Sequence, residues 1–320
     1  MSPDSTPQAT LPDGRRLLIH VGYHKTATTW MQRQLFIPAL GYHQIMDHEA
    51  IFAHFVRPHG FAHDADAAAC AVAEALAAVP DGLTPVMSSE ILCGNPTFGS
   101  REAVAVAQRL QAAVPSARIL VTIREQVAAI ASTYMQYLQR GGELSPAMFF
   151  AEAPDVGWPV FNHEHFRYDR FVAMYEGLFG AGNVLVCNQE LLIKDHLAFA
   201  RRVAEFAGQT GPINQAALLS ERTGVSYPEY GAGLLRLINH VRTGPAGPSA
   251  FPDLGPGGDL LYRAAGKFLR LDPVRSLFGK GKPVTQYVRQ RFAGAFVDSN
   301  RQLRDMVSPG LPLERYQGMD

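Results

Sequence analysis

The stretch Arg16-Leu17-Leu18-Ile19-His20-Val21-Gly22-Tyr23-His24-Lys25-Thr26-Ala27-Thr28-Thr29-Trp30 decides how this chain folds. Its first six residues form a short, mostly apolar run of strand length, and Gly22 ends it. A helix is expected from about Thr28 to Phe36. The connection between them has the chemistry of an anion cradle: successive backbone N–H groups converge at a helix N-terminus. Lys25 adds a point charge, and Thr26, Thr28 and Thr29 add hydroxyl donors. The plainer alternative, an ordinary strand–helix turn with a threonine cap, leaves a lysine and three threonines together without a purpose. The loop is not a Walker A motif, because only Tyr23 and His24 separate Gly22 from Lys25 and no glycine precedes the lysine.

Working outward, Thr84-Pro85-Val86-Met87-Ser88, Arg118–Ile123 and Asn183–Cys187 read as further buried strands. Helical periodicity fills Asp64–Val79, Ser100–Val114 (with Ser100 as cap), the segment from Arg124 to about Arg140, the apolar positions of 171–179, and Asp195–Ala207. Strands alternating with helices imply βαβ units. The expected fold is therefore α/β, a P-loop-type three-layer arrangement with a central parallel sheet flanked by helices. Ligands of such sheets bind beyond the carboxyl ends of the strands. Gly41–His63, Gly142–Asn162 and Gly244–Pro256 fit no element and are expected as long loops or lids. The expected organisation is a flexible tail over 1–14, one domain over 15–310 and a C-terminal tail over 311–320.

The 29 basic and 29 acidic side chains balance, which argues against a nucleic-acid binder but allows a local basic pocket. Three scattered cysteines with no CxxC pair suit a reducing compartment and give no zinc site. The polar start shows no signal-peptide pattern, and no apolar run is long enough to span a bilayer. A cytoplasmic location is expected. His43, His48, His54, His59 and His63 lack the spacing of a zincin pair and are expected on lids or the surface. Phe149, Phe150, Trp158 and Phe161 form an aromatic stretch that either lines a pocket or packs under a loop.

A second anion site follows the strand ending at Ile123. Arg124 offers a planar fork for phosphate oxygens, and Ser132, eight residues on, falls about two turns along the following helix. Taken alone, this is a surface arginine and a helix serine. His24-Lys25-Thr26-Ala27-Thr28-Thr29-Trp30 together with Arg124-x7-Ser132 resembles the sulfotransferases that use 3′-phosphoadenosine 5′-phosphosulfate (PAPS) and release 3′-phosphoadenosine 5′-phosphate (PAP). Weaker matches extend from Leu17 to Met306, some with features of the glycan-modifying members.

The resemblance implies that Gly22, Tyr23, His24, Lys25, Thr26, Ala27, Thr28, Thr29 and Trp30 build the 5′-phosphosulfate cradle. Lys25 would touch the 5′-phosphate and the bridging oxygen, and the three threonines would bind 5′-phosphate oxygens. Trp30 would stack on adenine or sit in the core. Arg124 and Ser132 would hold the 3′-phosphate; Glu125-Gln126 departs from the pair usual after that arginine. Tyr168 would be an adenine contact or a core tyrosine. Asn188-Gln189-Glu190-Leu191 is an imperfect structural match. Lys280, Gly281 and Lys282 resemble a loop that closes over the nucleotide, or form a solvated basic turn. Glu90, after the second of these strands, is the candidate base; otherwise Ser89-Glu90 caps a helix. The implied reaction is sulfuryl transfer from PAPS to a hydroxyl of a small molecule or carbohydrate, needing no metal. The alternatives are an ATP-dependent small-molecule kinase, against which the short loop and the missing magnesium aspartate count, and a non-catalytic nucleotide-binding protein.

Overall fold

A computed structural model describes residues 14–152, 161–218, 227–245, 253–278 and 281–319. Five strands, β1 (Leu18–His20), β2 (Tyr42–Met46), β3 (Thr84–Ser88), β4 (Arg118–Ile123) and β5 (Val184–Asn188), form one parallel sheet in the order β2-β3-β1-β4-β5. Ile19 pairs with Met87 on one side and Ile119 on the other, and Ile119 with Val184. β1 is central; the chain leaves it for edge strand β2, comes back through β3 and then crosses to β4 and β5 on the other side. This reversal creates a crevice at the carboxyl ends of β1 and β4.

Helices α1 (Thr28–Trp30, continued by a π-helical turn over Met31–Leu35), α2 (His48–Ile51), α3 (Ala65–Ala77), α4 (Ala103–Ala113), α5 (Gln126–Gln139), α6 (Pro146–Phe149) and α7 (Tyr168–Phe179) make up the first half. Then follow α8 (Gln189–Lys194), α9 (His196–Ala207), α10 (Ala232–Asn239), α11 (Pro256–Phe268), α12 (Asp272–Phe278), α13 (Pro283–Arg291) and α14 (Val297–Met306). The alternation of a strand sends Leu17, Ile19 and Val21 to one face and Leu18 to the other. Val72 of α3, Leu110 of α4, Ile130 of α5 and Val172 of α7 bury the first face. Trp30, Met31, Leu35, Phe199 and Val203 bury the second. The result is the three-layer α/β fold expected from the sequence.

Three expectations change. Gly41–His63 contains edge strand β2, helix α2 and a π-turn over Phe52–Val56. The strand escaped notice because its Tyr42-His43-Gln44-Ile45-Met46 is half polar, as an edge permits. Helix α4 starts after Glu102, and Ser100 sits before it in left-handed backbone. Over the expected C-terminal tail, Leu311, Leu313 and Tyr316 are buried in the main core. Trp158, the stretch 246–252 and Gly279-Lys280 lie outside the described residues. Among the described residues no helix is long and apolar enough to cross a membrane.

Candidate active site

The loop after β1 runs along β4: Val21 N–H bonds the Leu120 carbonyl and Tyr23 N–H the Thr122 carbonyl, both at 2.9 Å. Lys25 (φ 67°) and Ala27 (φ 69°) then adopt left-handed backbone, a conformation costing about 1–2 kcal/mol for a residue with a Cβ. Such strain persists where the surroundings over-determine it, often at functional sites. No side chain caps the N-terminus of α1. Thr28 Oγ1 is buried and has no partner among the described residues, while Thr29 is exposed.

A directed chain of hydrogen bonds lies beneath this loop. Thr26 Oγ1 donates to the Tyr23 carbonyl (2.6 Å), which uses its only proton. Thr122 must therefore donate across the 2.9 Å contact to Thr26. Thr122 in turn must accept from His20 Nε2 at 2.9 Å. His20 is fully buried, and burial lowers its pKa to about 3. It is neutral, so its Nδ1 accepts from Ser88 at 2.8 Å. Gly22 is required here, because a Cβ would come within 2.5 Å of both His20 Nε2 and Thr122 Oγ1. Thr26 thus turns its hydroxyl inward, toward the Tyr23 carbonyl and Thr122. Tyr23 is also an anchor, buried edge-on against Tyr168 and Phe171, with its hydroxyl on the His165 carbonyl (2.8 Å). Trp30 is buried in the second-face core.

Lys25 is part-buried, and its pKa is lowered chiefly by burial; Glu90 opposes that shift, and Arg140 and Arg124 add to it. His24, lowered to about 4 by burial despite Glu90, is neutral and donates Nε2–H to the Gly94 carbonyl at 3.2 Å. Lys25, His24, Glu90 and Arg140 therefore share one electrostatic neighbourhood. Glu90 is half-buried and opens a 3-10 turn capped by Ser89, whose Oγ also meets His48 Nδ1 at 2.8 Å.

Arg124 is adjacent. Its Nη1 donates to Ser132 Oγ at 3.1 Å and to the Lys25 carbonyl at 3.4 Å, so the two anion motifs meet in space. Burial is the main cause of its lowered pKa; Glu190, Tyr168 and Glu125 oppose it, and Arg315 reinforces it. Its turn is well supported. Glu125 caps α5 by accepting from Val127 and Ala128 N–H, the local substitute for the usual pair. Glu190 accepts from Glu125 N–H and from the Tyr316 hydroxyl, each at 3.1 Å. Tyr168, wholly buried, donates to the Arg124 carbonyl at 2.7 Å; it presents no open ring face.

Gly281 and Lys282 stand exposed at the start of α13, and among the described residues no hydrogen bond or ion pair joins Lys282 to Lys25 or Arg124. Lys280 lies outside the described residues. Phe149, Phe150 and Phe161 are core, packed on Tyr134 and Phe292. Glu190 lies in the Asn188–Leu191 stretch expected to be structural, whereas Arg140 and Tyr316 carry no local signal, because only the fold brings them near Lys25 and Arg124.

A five-stranded parallel sheet flanked by helices, with a lysine-bearing loop after β1 and an arginine after the adjacent β4, defines a three-layer α/β class of protein. Within that class the chain belongs to the sulfotransferase family, whose model matches residues 7–210, more than half of its length. It is a sulfotransferase-family enzyme. Among solved structures it is similar to a sulfotransferase from Alicyclobacillus acidocaldarius, with 21% identity over 65% of this chain and 85% of that one, at a TM-score of 0.46. It is also similar to mouse sulfotransferase SULT7A1 solved in complex with PAP, with 13% identity over 90% and 88% of the two chains, at a TM-score of 0.39. No curated protein matches the sequence.

Proposed function

We propose that the enzyme moves a sulfuryl group from PAPS to an acceptor hydroxyl, on a small molecule or carbohydrate. The observation that carries this is the junction at Arg124, whose guanidinium reaches Ser132 on one side and the Lys25 carbonyl on the other. A nucleotide with phosphate at its 3′ end and phosphosulfate at its 5′ end suits two anion sites that meet. The residues fit such a donor. Thr28 Oγ1 is a buried hydroxyl lacking a partner among the described residues, and Gly22 leaves room for the His20–Thr122 contact that underlies the loop. In this proposal Thr28 and Thr29 hydroxyls and the N–H groups at the start of α1 hold the 5′-phosphate. Arg124 and Ser132 hold the 3′-phosphate, and Tyr168 positions Arg124 from below.

The acceptor oxygen attacks sulfur opposite the leaving phosphate oxygen. The O–S bond to the acceptor forms as the bridging S–O bond breaks, and PAP leaves with that electron pair. Lys25 neutralises the developing charge, and Glu90 takes the acceptor proton. Arg140 adds positive charge beside Lys25.

Thermal shift with PAP, ATP and AMP tests the donor. At about 100 times its dissociation constant PAP should add roughly 2.7 kcal/mol. Stabilisation by ATP but not by PAP would overturn the proposal. Arg124→Ala should weaken PAP binding by about 1.5–3 kcal/mol, the range of a charge-assisted hydrogen bond. Unchanged affinity would remove the 3′-phosphate assignment. Glu90→Gln should reduce turnover while leaving PAP affinity intact, once labelled donor has identified an acceptor.

A further inference from the structure

Away from the site, α10–α12 form a layer unlike the rest of the surface. Of the fourteen large apolar side chains exposed among the described residues, nine lie between Leu234 and Phe278. Scattered single exposures need no explanation, but a concentration of them marks an interaction surface.

Helix α11 shows how the layer is built. Gly258, Tyr262 and Gly266 form its buried stripe, and the buried Leu269 follows them. At 100° per residue, Leu260, Ala264 and Phe268 fall on the opposite side, and Leu271 continues the row just past the helix. Leu260 is 70% exposed, Phe268 53% and Leu271 52%. The helix is thus apolar on two faces and packed on one. Helix α12 is more extreme: none of its seven residues is buried, and Leu277 is 80% exposed. A seven-residue helix is marginal in water unless an apolar face is covered.

Charge selects what covers it. Over 259–278 the basic residues Arg263, Lys267, Arg270 and Arg275 face only Asp259 and Asp272, in a chain whose charges balance overall. Lys267 and Arg263 flank the Leu260–Phe268 row along one edge of α11. A second copy docked symmetrically would bring like charges together, since a two-fold contact apposes the same patch. Protruding leucines and phenylalanines edged by lysine and arginine are the composition of helices that lie in the interface of an anionic bilayer.

We propose that α11 and α12 dock this enzyme on an anionic membrane surface, with Leu260, Phe268, Leu271 and Leu277 entering the headgroup region and the basic edge meeting lipid phosphates. The layer is tied to the site's own helix: Asn239 at the end of α10 donates to the carbonyls of Leu138 (2.8 Å) and Gly142 (2.7 Å), which flank Arg140 at the end of α5.

The test is flotation of the full-length protein with phosphatidylcholine vesicles and with vesicles containing about 30% phosphatidylglycerol. Binding should occur with the anionic vesicles, weaken by at least about tenfold in 0.5 M salt, and fall by at least about tenfold in Leu260→Ser/Phe268→Ser and in Arg263→Glu/Lys267→Glu. Both pairs are exposed, so melting temperature and PAP-induced thermal shift should stay at wild-type values. These two readouts also keep a failure here separate from a failure of the donor assignment. Absence of binding to anionic vesicles, or equal binding by the Leu260→Ser/Phe268→Ser variant, would overturn the proposal. So would a dimer, seen by light scattering, that this variant dissolves, because the face would then belong to a second copy.

Discussion

The two proposed anion sites touch, yet they are built by different means. The Lys25 loop is held from within the sheet by a file of neutral side chains on adjacent strands: Ser88 on β3, His20 on β1 and Thr122 on β4. The Arg124 turn is held from outside, by Tyr168 from α7, Glu190 from α8 and Tyr316 near the C-terminus. The first shapes backbone, fastening Val21 and Tyr23 along β4 and leading into the left-handed Lys25 and Ala27. The second shapes charge, setting a part-buried guanidinium near Glu190 and Glu125, which oppose the lowering of its pKa by burial. A loop that must cradle many oxygens needs a fixed outline, whereas a single guanidinium needs compensation for lost solvent.

The contrast can be broken at four places. Lys25→Ala removes the charge but keeps the outline, so turnover should fall about 10²–10³-fold, the range for a lost transition-state donor. A steady-state assay checks this; a fall in PAP affinity with unchanged turnover would reverse the roles given to the two sites. Thr122→Val cuts the file without changing volume and leaves His20 Nε2–H without its acceptor. Stability should drop by about 2 kcal/mol and PAP should bind more weakly, while Thr122→Ser should restore both. Titration calorimetry and melting curves decide it.

Acid attacks the file at His20 and the loop's surroundings at His24 and His165. His20, His24 and His165 all have pKa values lowered by burial, to about 3, 4 and 3. Unfolded histidine binds protons near pH 6.5, so the unfolded state holds more protons below that value. The stability from these neutral rings is full above about pH 6.5. It should be lost as pH falls toward 4, by about 1.4 kcal/mol per pH unit for each ring that stays neutral. Denaturant titration from pH 7 to 4 measures the slope, and a flat profile would contradict their neutral state. The smallest effect is expected at the outer support. Tyr316→Phe removes one hydroxyl from Glu190, should cost about 1 kcal/mol, and should affect PAP binding more than turnover.

The sequence spoke unevenly about these regions. Apolar runs and their spacing located β1, β3, β4 and β5, and the Lys25–Thr29 cluster and Arg124–Ser132 stood out because charged and hydroxyl side chains directly followed those runs. Edge strand β2 was hidden by its polar half. The role of Thr26 was hidden for a different reason: a threonine looks like a phosphate donor until its proton is traced inward to Tyr23. His20 read as one polar residue in a strand, because its partners sit 68 and 102 residues away. Glu190 and Tyr316 support Arg124 only through the fold, and no local pattern announces contacts over such separations.

The direction of the buried file has a further consequence. Each of its four hydrogen bonds fixes the next, from Ser88 through His20, Thr122 and Thr26 to the Tyr23 carbonyl. No single member can turn around alone; reversing one would oblige every other to reverse or lose a partner. The underside of the loop is therefore an all-or-none latch. In the language of amide exchange, Val21 and Tyr23 should open with the whole sheet rather than with the surface loop they introduce.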